Sequence, residues 1–130
     1  MSKQELKQHG VFSWNELMTN DLAAAKRFYR EALGWELEDH SQPGMAYTVA
    51  KNGAREVAGM MGLPPEAAGA LPAWGSYVTV DDVDARVARA QALGGTLRVA
   101  PRDIPNVGRF AVISDPQGAM LAMITYADQE

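Results

Sequence analysis

The chain repeats itself at an interval of about 60 residues. Asp21 stands 13 residues before Gly34, and Asp81 stands 13 before Gly94. Leu33-Gly34 and Leu93-Gly94 share an offset of 60, and 61 serves nearly as well. A repeat of that period in a chain of 130 residues points to duplication of one module.

The elements read from each half agree with this. Val11 to Thr19 alternates as a strand, with Phe12, Trp14, Glu16 and Met18 on one face. Thr19, Asn20 and Asp21 are capping residues for a helix over Leu22 to Leu33. Its apolar stripe is Leu22, Ala25, Phe28, Tyr29, Ala32 and Leu33, and Gly34 ends it. Trp35 to Asp39, Met45 to Lys51 and Glu56 to Gly62 follow as strands, with Asn52-Gly53 as a type I′ hairpin signal. Residues 63–73, rich in Pro, Ala and Gly, break both periodicities and read as a connection. The second half repeats the order. Trp74 to Val80 is a strand, Asp81 or Asp82 caps a helix over Val83 to Leu93, and Thr96 to Ala100 is a strand stopped by Pro101. Arg109 to Ser114 and Ala119 to Thr125 are strands around an Asp115-Pro116-Gln117-Gly118 β-turn.

The expected fold is therefore α+β, a single domain of two βαβββ modules, 11–62 and 74–125, joined by the linker 63–73. One helix and four strands cannot bury both faces of a sheet. The modules are expected to form a curved mixed sheet with helices outside and a cleft inside. Whether they pair within one chain or by exchange between chains stays open.

Composition excludes several functions. The net charge of −4 and pI of about 5.1 give no footprint for nucleic acid. No apolar run reaches the roughly 18–20 residues that span a bilayer, so no membrane partner is expected. The polar start, Met1-Ser-Lys-Gln-Glu-Leu-Lys-Gln, has no secretory h-region, so the cytoplasm is the expected compartment. The absence of cysteine removes thiolate metal sites and cysteine nucleophiles. The two histidines, His9 in the polar lead-in and His40 in a turn-like segment, have no partner histidine at metal-ligand spacing.

Asp21, Phe28-Tyr29 and Leu33-Gly34-Trp35 resemble the D-x6-F-Y-x3-L-G-[WF] signature of the vicinal oxygen chelate superfamily. This is the superfamily of glyoxalase I, bleomycin-resistance proteins and extradiol dioxygenases. Asp115-Pro116-Gln117-Gly118 resembles its closing D-P-x-G motif, and Val80-Asp81-Asp82-Val83-Asp84 its second strand-to-helix step. The likeness runs from about Val11 to Thr125. In metal-dependent members, four strand residues hold a divalent ion. The corresponding positions here are Trp14, then Gly75 (or Trp74 if the register slips by one), then Ala122, and a fourth-strand position near Ala58 to Met60. Glu56 lies on that strand but early. Such residues supply no set of oxygen and nitrogen donors. The resemblance thus implies no metal, no cofactor, and neither glyoxalase I nor dioxygenase chemistry.

It implies instead a ligand-binding cleft lined by Trp14, Glu16, Met18, Tyr77, Thr79, Met120, Ala122 and Ile124, with Gly75 beside them. Trp74, Tyr47 and Tyr77 are candidates to stack on a planar ligand, and Arg102, in a Pro101-to-Pro105 loop, to clamp an anionic group. Glu16 is the candidate catalytic residue: a carboxylate between Trp14 and Met18 is either an acid/base or polar-ligand partner, or half of an ion pair with Arg102 or Arg109. The expected function is metal-free binding or sequestration of a small, partly aromatic molecule by a homodimer. The alternative is a lyase-, isomerase- or hydroxylase-like enzyme using Glu16, with or without an unconventional metal site.

Overall fold

The computed structural model describes residues 2–65 and 69–127. Positions 66–68 of the expected linker lie outside the described residues. The elements, in order, are α1 (Lys3–Leu6), β1 (Phe12–Thr19), α2 (Leu22–Leu33), β2 (Glu36–Asp39), β3 (Tyr47–Asn52), β4 (Arg55–Gly62), β5 (Ala73–Thr79), α3 (Val83–Ala92), β6 (Thr96–Ile104), β7 (Gly108–Ser114) and β8 (Met120–Tyr126). The chain is α+β and each half follows the βαβββ order. It divides into two compact units, Trp14–Gly75 and a second made of Met1–Ser13 with Ser76–Glu130.

In the Trp14–Gly75 unit the strands lie in the order β2-β3-β4-β1. β1 runs parallel to β4, and β4-β3 and β3-β2 are antiparallel. Asp21 caps α2 by accepting from the Ala24 amide at 3.0 Å, and Gly34 ends it at φ 72°, a left-handed conformation without strain for glycine. Leu17, Ala50, Ala58 and Met60 are buried, Met60 with 0 % exposure. The α2 stripe is less buried than its periodicity predicts, because Phe28 and Leu33 are 61 % and 56 % exposed and no α2 residue is fully buried. Leu22, Ala25 and Tyr29 are the half-buried members of the stripe. The β3–β4 turn also differs from expectation. Gly53 and Ala54 are its central pair, and only Gly53 has positive φ (62°), the sign pattern of type II′ rather than I′.

In the second unit the order β5-β8-β7-β6 repeats that pattern, with β5 parallel to β8 and the other pairs antiparallel. One face carries α3, whose Val83 and Val87 pack with Val80, Ala111 and Met123. Asp82 is the cap, accepting from Ala85 N–H at 3.2 Å. The Asp115–Gly118 turn closes as expected: Gly118 N–H donates to the Asp115 carbonyl at 2.9 Å, and the Asp115 carboxylate accepts from the Gln117 and Ala119 amides. The polar lead-in holds a short helix, α1, capped by Ser2, and His9 Nδ1 accepts from the Asp81 amide at 3.0 Å.

Pro101 does not stop β6, which continues to Ile104. β6 is the outermost strand of its unit, where a missing N–H costs no ladder bond, and the pairing shifts register between Val99 and Arg102. Arg102 is therefore a strand residue opposite Phe110 and not a loop residue.

The Arg86 guanidinium grips Asp81 through two bonds of 2.9 and 3.0 Å and holds its carboxyl down to about 2. A lowered carboxyl pKa stabilises the fold above the ordinary value of 3.8, and that contribution is lost as pH falls through about 2. A carboxyl-carbon NMR titration should give Asp81 that low midpoint and show it moving back toward 3.8 in Arg86→Ala. An unchanged midpoint in the variant would contradict the assignment.

Candidate functional site

Alternation along β1 and the pairing β1–β4–β3 put Trp14, Glu16, Met18, Tyr47, Val49 and Gly59 on one face of the Trp14–Gly75 sheet. Glu16 pairs with Gly59, which pairs with Val49. Three of these residues are joined by hydrogen bonds. The Trp14 indole N–H donates to the Tyr47 hydroxyl at 3.0 Å, and that hydroxyl donates to Glu16 Oε2 at 2.7 Å. Glu16 is 7 % exposed, so its carboxylate is held by a short, charge-assisted bond in a region that excludes most water. Gly59 makes the arrangement possible. A Cβ there would overlap the Tyr47 hydroxyl and ring, so the phenol lies directly on bare backbone.

Trp74 is elsewhere. One residue before Gly75 on β5, it projects to the other side of its strand and meets Tyr29 of α2 and Trp35. Its indole N–H donates to the Tyr29 hydroxyl at 3.1 Å, and its ring stands edge-on to Tyr29 (5.4 Å, 82°) and Trp35 (6.0 Å, 78°). Tyr29 and Trp35 themselves stack at 6.0 Å. From sequence, Trp74 groups with Tyr47 and Tyr77; in the fold it belongs to this half-exposed ring cluster. The pairing of Tyr29 and Trp35 with it depends on the path of the chain after α2, which periodicity does not encode.

The other expected residues lie in the second unit. Tyr77, Thr79, Ala122 and Ile124 share the face opposite α3, as the β5–β8 pairing of Tyr77 with Ala122 and Thr79 with Ile124 requires. The Tyr77 and Phe110 rings are 6.3 Å apart, and the Arg102 guanidinium sits 5.5 Å above Phe110. Phe110 joins this group through a β7 register that the sequence alone did not reveal. Thr79 donates to the Leu6 carbonyl. Met120, at the start of β8, is 65 % exposed. Arg109 is committed to Asp84 at 2.8 Å and Asp103 at 3.1 Å, and its bond to Asp84 lowers that carboxyl's pKa. These are the ion pairs the structure gives Arg109. Beside it, a groove of about 380 Å³ lined by Ile104, Pro105, Asn106, Thr125 and Tyr126 includes none of the expected ligand residues. Burial raises the Tyr126 phenol pKa more than its 2.8 Å bond with Ser13 lowers it.

The residues at the metal positions of the resembled family do not fit a metal. Trp14, Gly75 and Ala122 carry no ligand atom, and neither Ala58 nor Gly59 does. Met60 offers only a soft thioether, fully buried. Glu56 stands with Glu38 and His40, their donor atoms within 4.8 Å of one another, but all three are exposed. Glu38 is already engaged by His40 at 2.6 Å and Lys51 at 3.3 Å, which lower its carboxyl pKa.

Known proteins share both the sequence pattern and the fold. The chain is 41 % identical over 129 residues to the putative glyoxylase CFP32 of Mycobacterium tuberculosis, covering 96 % of the chain and 48 % of that protein. It is 36 % identical over 115 residues to the anthracycline biosynthesis protein DauV of Streptomyces sp. strain C5, covering 88 % of the chain and 41 % of that protein. The chain thus spans about half the length of the curated relatives it matches. In fold it resembles a variant of Streptomyces coelicolor methylmalonyl-CoA epimerase in complex with 2-nitronate-propionyl-CoA (TM-score 0.65, 18 % identity, 95 % of this chain and 99 % of that one). It also resembles the hypothetical protein BH1468 of Bacillus halodurans (TM-score 0.67, 11 % identity, 95 % and 99 %). The profile of the Glyoxalase/Bleomycin resistance protein/Dioxygenase superfamily matches residues 9–123, and the chain belongs to that superfamily.

Proposed function

We propose that the chain binds a small, partly aromatic molecule without a metal ion, on the sheet face that carries Trp14, Glu16 and Tyr47. The observation that carries this reading is the Trp14–Tyr47–Glu16 hydrogen-bonded set: a buried carboxylate beside aromatic rings, where the family's metal position is a tryptophan. Aromatic and apolar lining with a few fixed polar groups is the chemistry of small-molecule recognition. Relatives named for the biosynthesis of anthracyclines, which are fused-ring aromatics, support an aromatic ligand class. Met18, on the same face of β1, completes the proposed set of ligand contacts in this unit. The protein acts as a homodimer in the cytoplasm: relatives twice its length have room for a second such domain, and exposed Phe28, Leu33 and Trp74 offer apolar surface to a second copy.

A second reading is that Glu16 acts as an acid/base toward the bound molecule, favoured by its burial and by the Tyr47 hydroxyl 2.7 Å away.

Chelator-treated protein should be stabilised by planar aromatics such as anthraquinones, by about 2.7 kcal/mol at a hundred times the dissociation constant. Glu16→Gln should weaken the binding of hydroxylated anthraquinones at least tenfold, roughly the value of one charged hydrogen bond from the ligand hydroxyl. Sedimentation should give twice the 14.1 kDa chain mass. A tightly held divalent ion per chain, lost in Glu16→Gln, overturns the metal-free reading. No stabilisation by any compound overturns binding. Turnover of a bound compound that Glu16→Gln abolishes decides for the enzyme.

A further inference from the structure

We propose that Tyr47 is the resident occupant of its own binding face, and that the ligand it gives way to carries a hydroxyl on a flat aromatic ring. This rests on the ligand-binding reading above and narrows it to a chemical class.

The reason lies in what the phenol touches. Its oxygen does two things at once: it accepts from the Trp14 indole N–H and donates to the Glu16 carboxylate. A ketone can only accept and an ammonium can only donate, but a hydroxyl does both. Its ring needs a third thing, a surface without side chains, and Gly59 supplies it. A donor and a carboxylate acceptor placed together over a flat backbone floor are complementary to a hydroxyaryl group. Tyr47 is the hydroxyaryl the chain itself provides.

Exchange avoids the penalties that usually forbid it. A ligand phenol taking the place of the Tyr47 hydroxyl remakes both of its bonds, accepting from the indole N–H and donating to the carboxylate. An aromatic ligand without the hydroxyl would leave both bonds unmade. The site therefore discriminates by the hydroxyl, as polar sites do far more strongly than apolar ones. Tyr47 is also placed to move. It is the first residue of β3 and is half-buried, and side-chain rotation is the motion that would take its ring off Gly59. An occupant that must be displaced weakens the apparent affinity by the fraction of time it vacates the site.

The test is equilibrium binding of 2-naphthol and of naphthalene to the whole chain and to Tyr47→Phe, followed by thermal shift and by titration calorimetry. Tyr47→Phe keeps the ring but loses its hold on Glu16 and Trp14. It should bind 2-naphthol roughly tenfold more tightly than the parent, the fold-change expected from removing one charge-assisted bond of the competitor. Naphthalene should bind at least tenfold more weakly than 2-naphthol to both. Weaker binding of 2-naphthol to Tyr47→Phe would make Tyr47 a ligand contact and overturn the proposal while leaving ligand binding intact. Equal binding of naphthalene and 2-naphthol would overturn the hydroxyaryl class. If 2-naphthol binds neither protein while the anthraquinones above stabilise the parent, the proposal alone falls; if nothing binds, both readings fall. Should Tyr47→Phe fail to fold, 3-fluorotyrosine incorporated in the parent gives a second readout. The fluorine resonance of Tyr47 should shift on adding 2-naphthol and not naphthalene, and an unmoved resonance at saturation overturns the exchange.

Discussion

Gly108→Ala is expected to cost about 3 kcal/mol of stability, at the upper end of what one added methyl does in a packed structure. Gly108 opens β7 between two partners, paired with Ile104 of β6 and Tyr126 of β8. A Cβ there would overlap the Thr125 carbonyl oxygen and crowd the Tyr126 Cα, and both are backbone atoms. A side chain can turn aside, but a strand moves only with its ladder. Urea unfolding should show a lower midpoint with an unchanged slope. Gly62→Ala is the control: its nearest neighbour would be the Thr19 carbonyl at 3.9 Å, so the added methyl should cost under about 1 kcal/mol. A loss below about 1 kcal/mol at Gly108 would show that the β7–β8 pair yields more easily than its bonding suggests.

Gly59→Ala is expected to cost a similar amount, about 3 kcal/mol, by a different route. The overlap is with the end of a side chain, so Tyr47 leaves and the backbone stays. What is lost is the bond to Glu16, worth roughly 1.5–3 kcal/mol as a charged hydrogen bond, and the bond from Trp14, worth about 1 kcal/mol. The two routes can be separated by a double-mutant cycle. In a Tyr47→Ala background there is nothing left to displace, and Gly59→Ala should cost little, giving a coupling of at least about 1.5 kcal/mol. Additive losses would mean that Gly59 matters for something other than Tyr47. The methyl also fills the floor on which a ligand ring would lie, so aromatic binding should fall together with stability.

Gly59 shows why the site was only partly legible in the sequence. Glu16 stood out, because a carboxylate between Trp14 and Met18 on an alternating strand demands an explanation wherever it occurs. Tyr47 was one of several aromatic candidates, with nothing to rank it above Trp74. Its role follows from lying across β4 from Glu16, and that depends on the register of three strands, β1, β4 and β3. Gly59 fell within the fourth-strand stretch Ala58 to Met60 set against a metal position, with nothing to mark it as the floor under Tyr47. A glycine in a strand announces a close approach without saying by what.

α2 was legible down to its ends, whereas α1 was not foreseen and α3 ends at Ala92, one residue before the expected Leu93. The Asp21 cap, the Gly34 terminus and the Asp115–Gly118 turn are local arrangements between a side chain and the nearest backbone, and residue identity suffices to read them. The fold class and the two βαβββ halves followed from periodicity and from the repeat, and the family from short motifs built on those same caps and turns. Where a neighbouring strand or helix decided the outcome, the sequence misled. Pro101 is tolerated because β6 is an outermost strand, Arg109 is taken by Asp84 and Asp103, and Phe28 and Leu33 of the α2 stripe stay exposed. The sequence alone determined the caps of α2 and the Asp115–Gly118 turn, because hydrogen bonds over three or four residues are fixed by the residues themselves. Only the tertiary structure decided which side chains meet, because strand register sums small preferences across the whole sheet, and a shift of one residue turns every side chain to the other face.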